Sequence, residues 1–149
     1  MTYKKPTYPD YFLDRVELHE GFRPKAYKDT KGIWTVGIGH NLEDNKISRA
    51  AAKFILVEDL VKEERLLKKL CPPYRDVWGP RRYALLDMAF NMGARRLSGF
   101  TNMWLAVARG DWNSAADEAL DSKWRRKDVP EWRSDYIASI LRTGEVPES

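Results

Sequence analysis

The chain reads as an α+β protein that is mostly helical, and three features predict this. Long stretches repeat their apolar residues at helical spacing between recognisable start and stop residues. Only one short segment, residues 26–40, alternates in the manner of strands, and it is punctuated by glycine. The order is helix, small sheet, long helix, then an all-helical half, so the strands are segregated rather than interleaved with helices.

The elements follow in order. Residues 9–20 form the first expected helix: Pro9 suits a first-turn position, Phe12, Val16 and Glu20 recur every four residues, and Gly21 is a stop. Residues 26–40 are expected to be strands, with "DTKG" as the turn and "IWTVGIGH" alternating. Ser48 is the expected cap of a long helix reaching about Leu70. Its first half, "AAAKFILVEDLV", is apolar on more than one face, as suits a spine with two packing partners. Pro80 opens a helix through Met92 that Gly93 ends. "GFTNMWLAVARG" gives a helix capped by Thr101, "DWNSAADEALDSKW" another, and "PEWRSDYIASILRTG" the last, stopping at Gly144. A single domain over residues 1–149 is expected. It comprises a sheet lobe at about 21–47, a spine helix at 48–70, and a helical lobe at 71–149 together with helix 9–20.

Composition narrows the function. At 149 residues, 43% hydrophobic and 32% charged, the chain is long enough for a core and is globular rather than disordered. Its one cysteine, Cys71, excludes an internal disulfide, and "KKLCPPY" reads as a helix end stopped by two prolines. No apolar run has the length of a signal core or of a membrane span, so synthesis in a cytoplasm without stable membrane insertion is expected. Lys plus Arg is 26 against 22 for Asp plus Glu, a net charge of +4. That balance suits an anionic partner or simply a solvated surface.

The segment "HEGFRPKAYKDTKGIWTVGIGH", residues 19–40, carries the chemistry. Glu20 shares a helical stripe with Phe12 and Val16 and lies in the last turn, at the negative end of the helix dipole. Burial and the dipole both favour its protonated form, which a general acid needs; the bland alternative is a surface Glu that ends a helix. Alternation places Thr35, Gly37 and Gly39 on one face of the strand, opposite Trp34, Val36, Ile38 and His40. Two glycines on one face leave room for a ligand beside the Thr35 hydroxyl, or merely permit a bend. Asp29, at the turn entrance, serves either as a base or as a turn residue. An acid, a base and a hydroxyl are the inventory for hydrolysing a glycosidic bond. His19 and His40 lack the spacing of a zinc site, so no metal and no cofactor are expected.

Glu20, eight residues, Asp29, five residues, Thr35 resembles the Glu–Asp–Thr triad of phage-type lysozymes, glycoside hydrolase family 24. The likeness continues through "FNMG", "GFTN", Trp112, "SKW" and "RTG" over nearly the whole chain. It implies a lysozyme-like fold, with the sheet lobe joined by the spine helix to the helical lobe. It also implies cleavage of the β-1,4 bond between N-acetylmuramic acid and N-acetylglucosamine in peptidoglycan, with inversion of configuration. In the family's pattern Glu20 is the acid, and Asp29 and Thr35 activate and orient water. Arg133 falls where an arginine pairs with the acid, and His40 where a histidine pairs with an aspartate on the spine helix, here Asp59. Phe90 and Asn91 match cleft positions, though Phe90 suits a core equally. Met103 and Glu118 replace small polar cleft residues. The resemblance further implies a monomeric phage endolysin. It would wait in the host cytoplasm for a separate holin and act on periplasmic peptidoglycan during host lysis.

Two other readings are weighed against this one. A silent peptidoglycan-binding module would have lost the acid or base, yet all three residues stand. Nucleic-acid binding or membrane disruption would draw on "KWRRKDVPEWR", residues 123–133, where tryptophan interleaves with cations. Such clusters are more often solvated helix surface, so no nucleic-acid partner is expected.

Overall fold

The structure, a computed structural model, describes residues 7–148. The outermost ends of the domain expected over 1–149, and the start of the stretch read for a leader, lie outside the described residues. The chain forms two compact units, one reaching to Ala52 and the other beginning at Lys53. The α+β class with a small antiparallel sheet holds.

The first unit contains α1 (Asp10–Glu20), β1 (Arg23–Lys28), β2 (Trp34–Gly37) and β3 (His40–Asn41), the strands lying antiparallel in the order β1-β2-β3. Helix α1 starts one residue later than expected. Pro9 stands outside it as the extended cap, its carbonyl accepting from the N–H groups of Phe12 at 3.0 Å and Leu13 at 3.3 Å. At the other end Gly21 stops the helix, its N–H donating to the Glu17 carbonyl at 2.7 Å. No residue of α1 is buried, and Phe12 is 46% exposed. The first unit by itself therefore gives this stripe no packed interior. A sheet whose third strand has two residues offers little cover to an 11-residue helix.

The expected continuous strand through His40 is also corrected. It breaks after Gly37, because Gly37 and Gly39 take φ values of +68° and +69°. These left-handed conformations cost glycine nothing and turn the chain back. Val36 then pairs with His40, and Thr35 with Asn41 on one side and Tyr27 on the other. Between the Arg23–Gly37 and Tyr27–Thr35 pairs β1 carries extra residues, a bulge that bends the strand beside the turn.

The helix α2 (Arg49–Leu70) begins where expected, with the Ser48 hydroxyl accepting from the Ala51 N–H at 3.1 Å. Its apolar first half exposes Phe54 and Val57, and its buried residue is Leu67. A 3-10 turn (Pro72–Asp76) leads to α3 (Gly79–Met92), α4 (Ala94–Ser98), α5 (Thr101–Arg109), α6 (Trp112–Leu120), a π turn (Trp124–Asp128) and α7 (Glu131–Thr143). The short α4 and the two single turns are too brief to leave a periodic signal. Thr101 does not cap α5: it is the first helical residue, and Phe100 holds the cap position without a side-chain bond. Asp111 does cap α6, taking the Ser114 N–H at 3.1 Å and the Ser114 hydroxyl at 2.7 Å.

The core of the second unit gathers Leu67, Tyr74, Leu85, Met88, Leu97, Trp124, Ile137 and Leu141. Each large side chain withdrawn from water contributes about 1.5–3 kcal/mol. Two indoles bring polar groups inside and find partners. Trp104 Nε1 donates to the Leu97 carbonyl, and Trp124 Nε1 to Asn91 Oδ1, both at 2.8 Å. Cys71 is buried, which pushes its thiol up to about 11.

A half-buried carboxylate joins the 3-10 turn to two helices. Glu64 Oε1 accepts from the Tyr74 hydroxyl at 2.8 Å and from Arg82 Nε at 2.7 Å. Burial alone would raise the Glu64 pKa, but the Tyr74 and Arg82 hydrogen bonds and the Arg82 charge outweigh it and hold it below 4.5. A lowered folded value stabilises fully above the unfolded pKa and is lost as pH falls through the folded one. Glu64→Gln should therefore cost about 1.5–3 kcal/mol at neutral pH. In urea titrations carried down to about pH 2, the wild-type advantage should fade on the acid side. An advantage that stays constant with pH would show that the Glu64 charge contributes nothing.

Candidate active site

Glu20, Asp29 and Thr35 all belong to the first unit, and each is held by a different local device. Glu20 is the last residue of α1 and is exposed. Its carboxylate lies against Gly39 in the β2–β3 turn, where a Cβ built on the glycine would meet Glu20 Oε2 at 3.1 Å. The absent side chain at Gly39 is what gives the acid its seat. At Gly37 the same construction meets nothing within 4 Å. The open face expected of both glycines is thus occupied at one of them, and the bend and the close approach occur together.

Asp29 forms the β1–β2 turn. Its N–H donates to the Ile33 carbonyl at 2.9 Å, and its carbonyl accepts from the Gly32 N–H at 3.0 Å. Its Oδ1 takes two further backbone donors, the N–H groups of Lys31 at 2.8 Å and Ile33 at 2.9 Å. Within its unit Oδ2 has no hydrogen-bond partner among the described residues. One oxygen is spent on architecture and the other remains free to accept a proton.

Thr35 lies on the central strand and is 4% exposed, so the expected bare platform around it is narrow. Its hydroxyl donates to the Ile33 carbonyl at 3.1 Å, which fixes the side chain and leaves oxygen lone pairs unspent. Ile33 therefore meets both groups, its N–H on Asp29 and its carbonyl on Thr35.

A family model for phage lysozyme matches residues 17–133, most of the chain and all three of these residues. The chain belongs to the phage lysozyme family. Among its relatives is "Probable T4-type lysozyme 2" of Dictyostelium discoideum, 28% identical, with 91% of this chain and 95% of the relative covered. The "Endolysin" of Salmonella phage P22 is 30% identical over 78% of this chain and 83% of its own length. The "Pre-baseplate central spike protein Gp5" of Enterobacteria phage T4 is also 30% identical. That match covers 85% of this chain and 27% of the spike protein. This phage-type lysozyme is accordingly a hydrolase that lyses peptidoglycan.

The remaining expected residues take varied places in the lysozyme. Arg133, on α7, donates through Nε and Nη2 to Asp87 on α3, the Nε bond measuring 3.2 Å. Asp87 was not anticipated; its register on α3 is the one hint in the sequence. Phe90 is exposed and lines an apolar groove with Leu56, Leu60, Tyr83, Leu86 and Arg133. Asn91 is committed to the Trp124 indole, and Met103 is fully buried. Met103 and Glu118 line a hollow of about 410 Å³ with Phe100, Lys123 and Trp124. His40 is half-buried on β3 and Asp59 exposed on α2; within its own unit His40 Nε2 has no partner. Sequence reasoning also missed the loop after β3. There Asn41 Oδ1 accepts from Glu43 at 2.9 Å and Asp44 at 3.0 Å, and Glu43 Oε1 takes the Trp34 N–H at 3.1 Å.

The basic run at 123–133 is largely neutralised. Arg125 pairs with Glu131 and Asp135, Arg126 with Asp121, and Arg133 with Asp87. Nucleic-acid binding needs cations in excess, and three of the five here are engaged by local carboxylates, leaving Lys123 and Lys127. Among the described residues no three His, Cys, Asp or Glu side chains gather as a metal-ligand set, and no helix is long and apolar enough to cross a membrane.

The two glycines supply an internal comparison. Ala at either position pays a similar backbone penalty for positive φ, but only at Gly39 does the new methyl strike Glu20. Gly39→Ala should lower peptidoglycan-lysing activity by about tenfold more than Gly37→Ala, at a similar loss of thermal stability. Turbidity clearing and thermal melts of the two variants check this; equal activity losses would remove Gly39 as the seat of the acid.

Proposed function

We propose that this chain cleaves the β-1,4 bond between N-acetylmuramic acid and N-acetylglucosamine by general acid/base catalysis. The observation that supports it best is the divided carboxylate of Asp29, anchored through Oδ1 and open at Oδ2. Glu20 gives its proton to the leaving glycosidic oxygen. Asp29 Oδ2 takes a proton from the attacking water, which donates its other hydrogen to the Thr35 hydroxyl oxygen. The new C–O bond forms as the glycosidic bond breaks, so one displacement inverts the anomeric carbon. Gly37 and Gly39 set the turn that holds these groups. The silent-module alternative is disfavoured because the acid, base and hydroxyl are all present.

Around this centre we assign Arg133 to orienting Glu20, and the pair His40–Asp59 to a structural tie. Phe90 lines the glycan cleft, and Asn91 supports it through Trp124. The molecule works as a monomer, one domain over residues 1–149, with helix 9–20 completing the helical lobe. Made in a phage-infected cytoplasm, it reaches periplasmic peptidoglycan once a separate holin opens the membrane, and lyses the host. It takes no metal or cofactor and inserts stably in no membrane.

Glu20→Gln should reduce clearing of purified peptidoglycan by about 10²–10⁴-fold while leaving the melting temperature unchanged. Full activity in that variant would remove Glu20 as the acid. Asp29→Asn keeps an acceptor for the turn amides and should fold, yet lose activity to a similar degree. Mass spectrometry of the products should show reducing N-acetylmuramic acid ends. Anhydro ends would replace hydrolysis with transglycosylation.

A further inference from the structure

The start of α3 presents a tryptophan that the proposed chemistry does not use. Trp78 is 84% exposed. Its backbone is nevertheless held on both sides: Val77 is buried with its N–H on the Tyr74 carbonyl at 3.1 Å, and α3 begins at Gly79 with Pro80 in its first turn. An indole turns about only two χ angles, so on a fixed backbone its ordering by a ligand costs less than that of a longer flexible side chain.

Beside it lies a hollow of about 130 Å³ lined by Asp76, Arg81 and Trp112 among others. Arg81 is anchored through Nε to the Leu141 carbonyl at 2.9 Å and through Nη2 to the Arg142 carbonyl at 3.0 Å. Its guanidinium lies over the Trp112 ring at 4.7 Å. Among the described residues, Arg81 Nη1, both indole N–H groups and the Asp76 carboxylate have no protein partner. The hollow thus combines aromatic surface with three unspent donors and one unspent acceptor.

That combination fits a saccharide. The C–H face of a pyranose covers an indole, while hydroxyl and N-acetyl edges need both donors and an acceptor. The volume is well below the roughly 300–1,000 Å³ that encloses a small molecule, so this place holds one unit of an extended chain. A protein partner would need a far larger face, on the order of 800 Å². Nucleic acid would need cations in excess, whereas here one cation stands with one carboxylate.

We propose that Trp78, Asp76, Arg81 and Trp112 form a secondary saccharide subsite that holds a glycan strand of peptidoglycan. The identity of the polymer rests on the proposed function. The subsite raises the local concentration of enzyme on an insoluble substrate and contributes nothing to bond cleavage.

Co-sedimentation with purified insoluble peptidoglycan tests this, in a Glu20→Gln background so that the polymer survives. Trp78→Ala should raise the half-saturating concentration about three- to tenfold. Trp78→Tyr, which keeps an aromatic face, should recover most of that loss, and Asp76→Asn should weaken binding without altering an indole. With Glu20 intact, Trp78→Ala should cleave a short soluble peptidoglycan fragment at the wild-type rate. Unchanged binding in both Trp78→Ala and Asp76→Asn would overturn the subsite, as would equal losses on polymer and short fragment. Trp78-dependent binding by a wild-type chain that clears no peptidoglycan would instead sink the proposed function alone.

Discussion

The first unit is organised by a contact that exists only because an atom is missing. Gly39 has no Cβ, and the Glu20 carboxylate lies where that Cβ would crowd it. The same residue, with Gly37, reverses the chain after β2, so one pair of left-handed conformations both ends the strand and seats the acid. Asp29 and Thr35 are then tied to each other through Ile33, which gives its N–H to one and its carbonyl to the other. The site is thus assembled largely from turn and strand backbone groups and the space a glycine leaves.

The second unit works on the opposite principle. Its helices meet around large buried side chains, and several of its inward polar groups find partners. Glu64 with Tyr74 and Arg82, and Asn91 with Trp124, are examples. Each group there would be costly alone and is stable in company. The arginines of the 123–133 run follow the same rule, folded onto nearby carboxylates rather than offered to a polyanion.

Much of this was legible in the sequence where a local rule dominates. Gly21, Gly93 and Gly144 end helices as read, Ser48 caps α2, and the long periodic segments are helices. The reading failed where two local rules competed. "IWTVGIGH" alternates like one strand, but the glycines' positive φ outweighs the alternation. Thr101 suits a cap, yet the chain enters α5 one residue earlier. The α1 stripe has the right period for burial, but its own unit supplies no surface to bury it. For the site, residue types and spacing pointed to Glu20, Asp29 and Thr35. No pattern announced that Asp29 divides its oxygens or that Asp87 engages Arg133, because those partners are fixed by turn geometry and helix register.

The divided carboxylate of Asp29 narrows what evolution can do at this position. A replacement that preserves the hairpin must offer an acceptor of the same reach, which asparagine does and glutamate, one methylene longer, does not. A replacement that preserves the proposed proton transfer must be an acid, which glutamate is and asparagine is not. Aspartate alone satisfies both, so selection for a chain that folds and selection for a chain that turns over converge on one residue. Invariance at this position would record two histories at once.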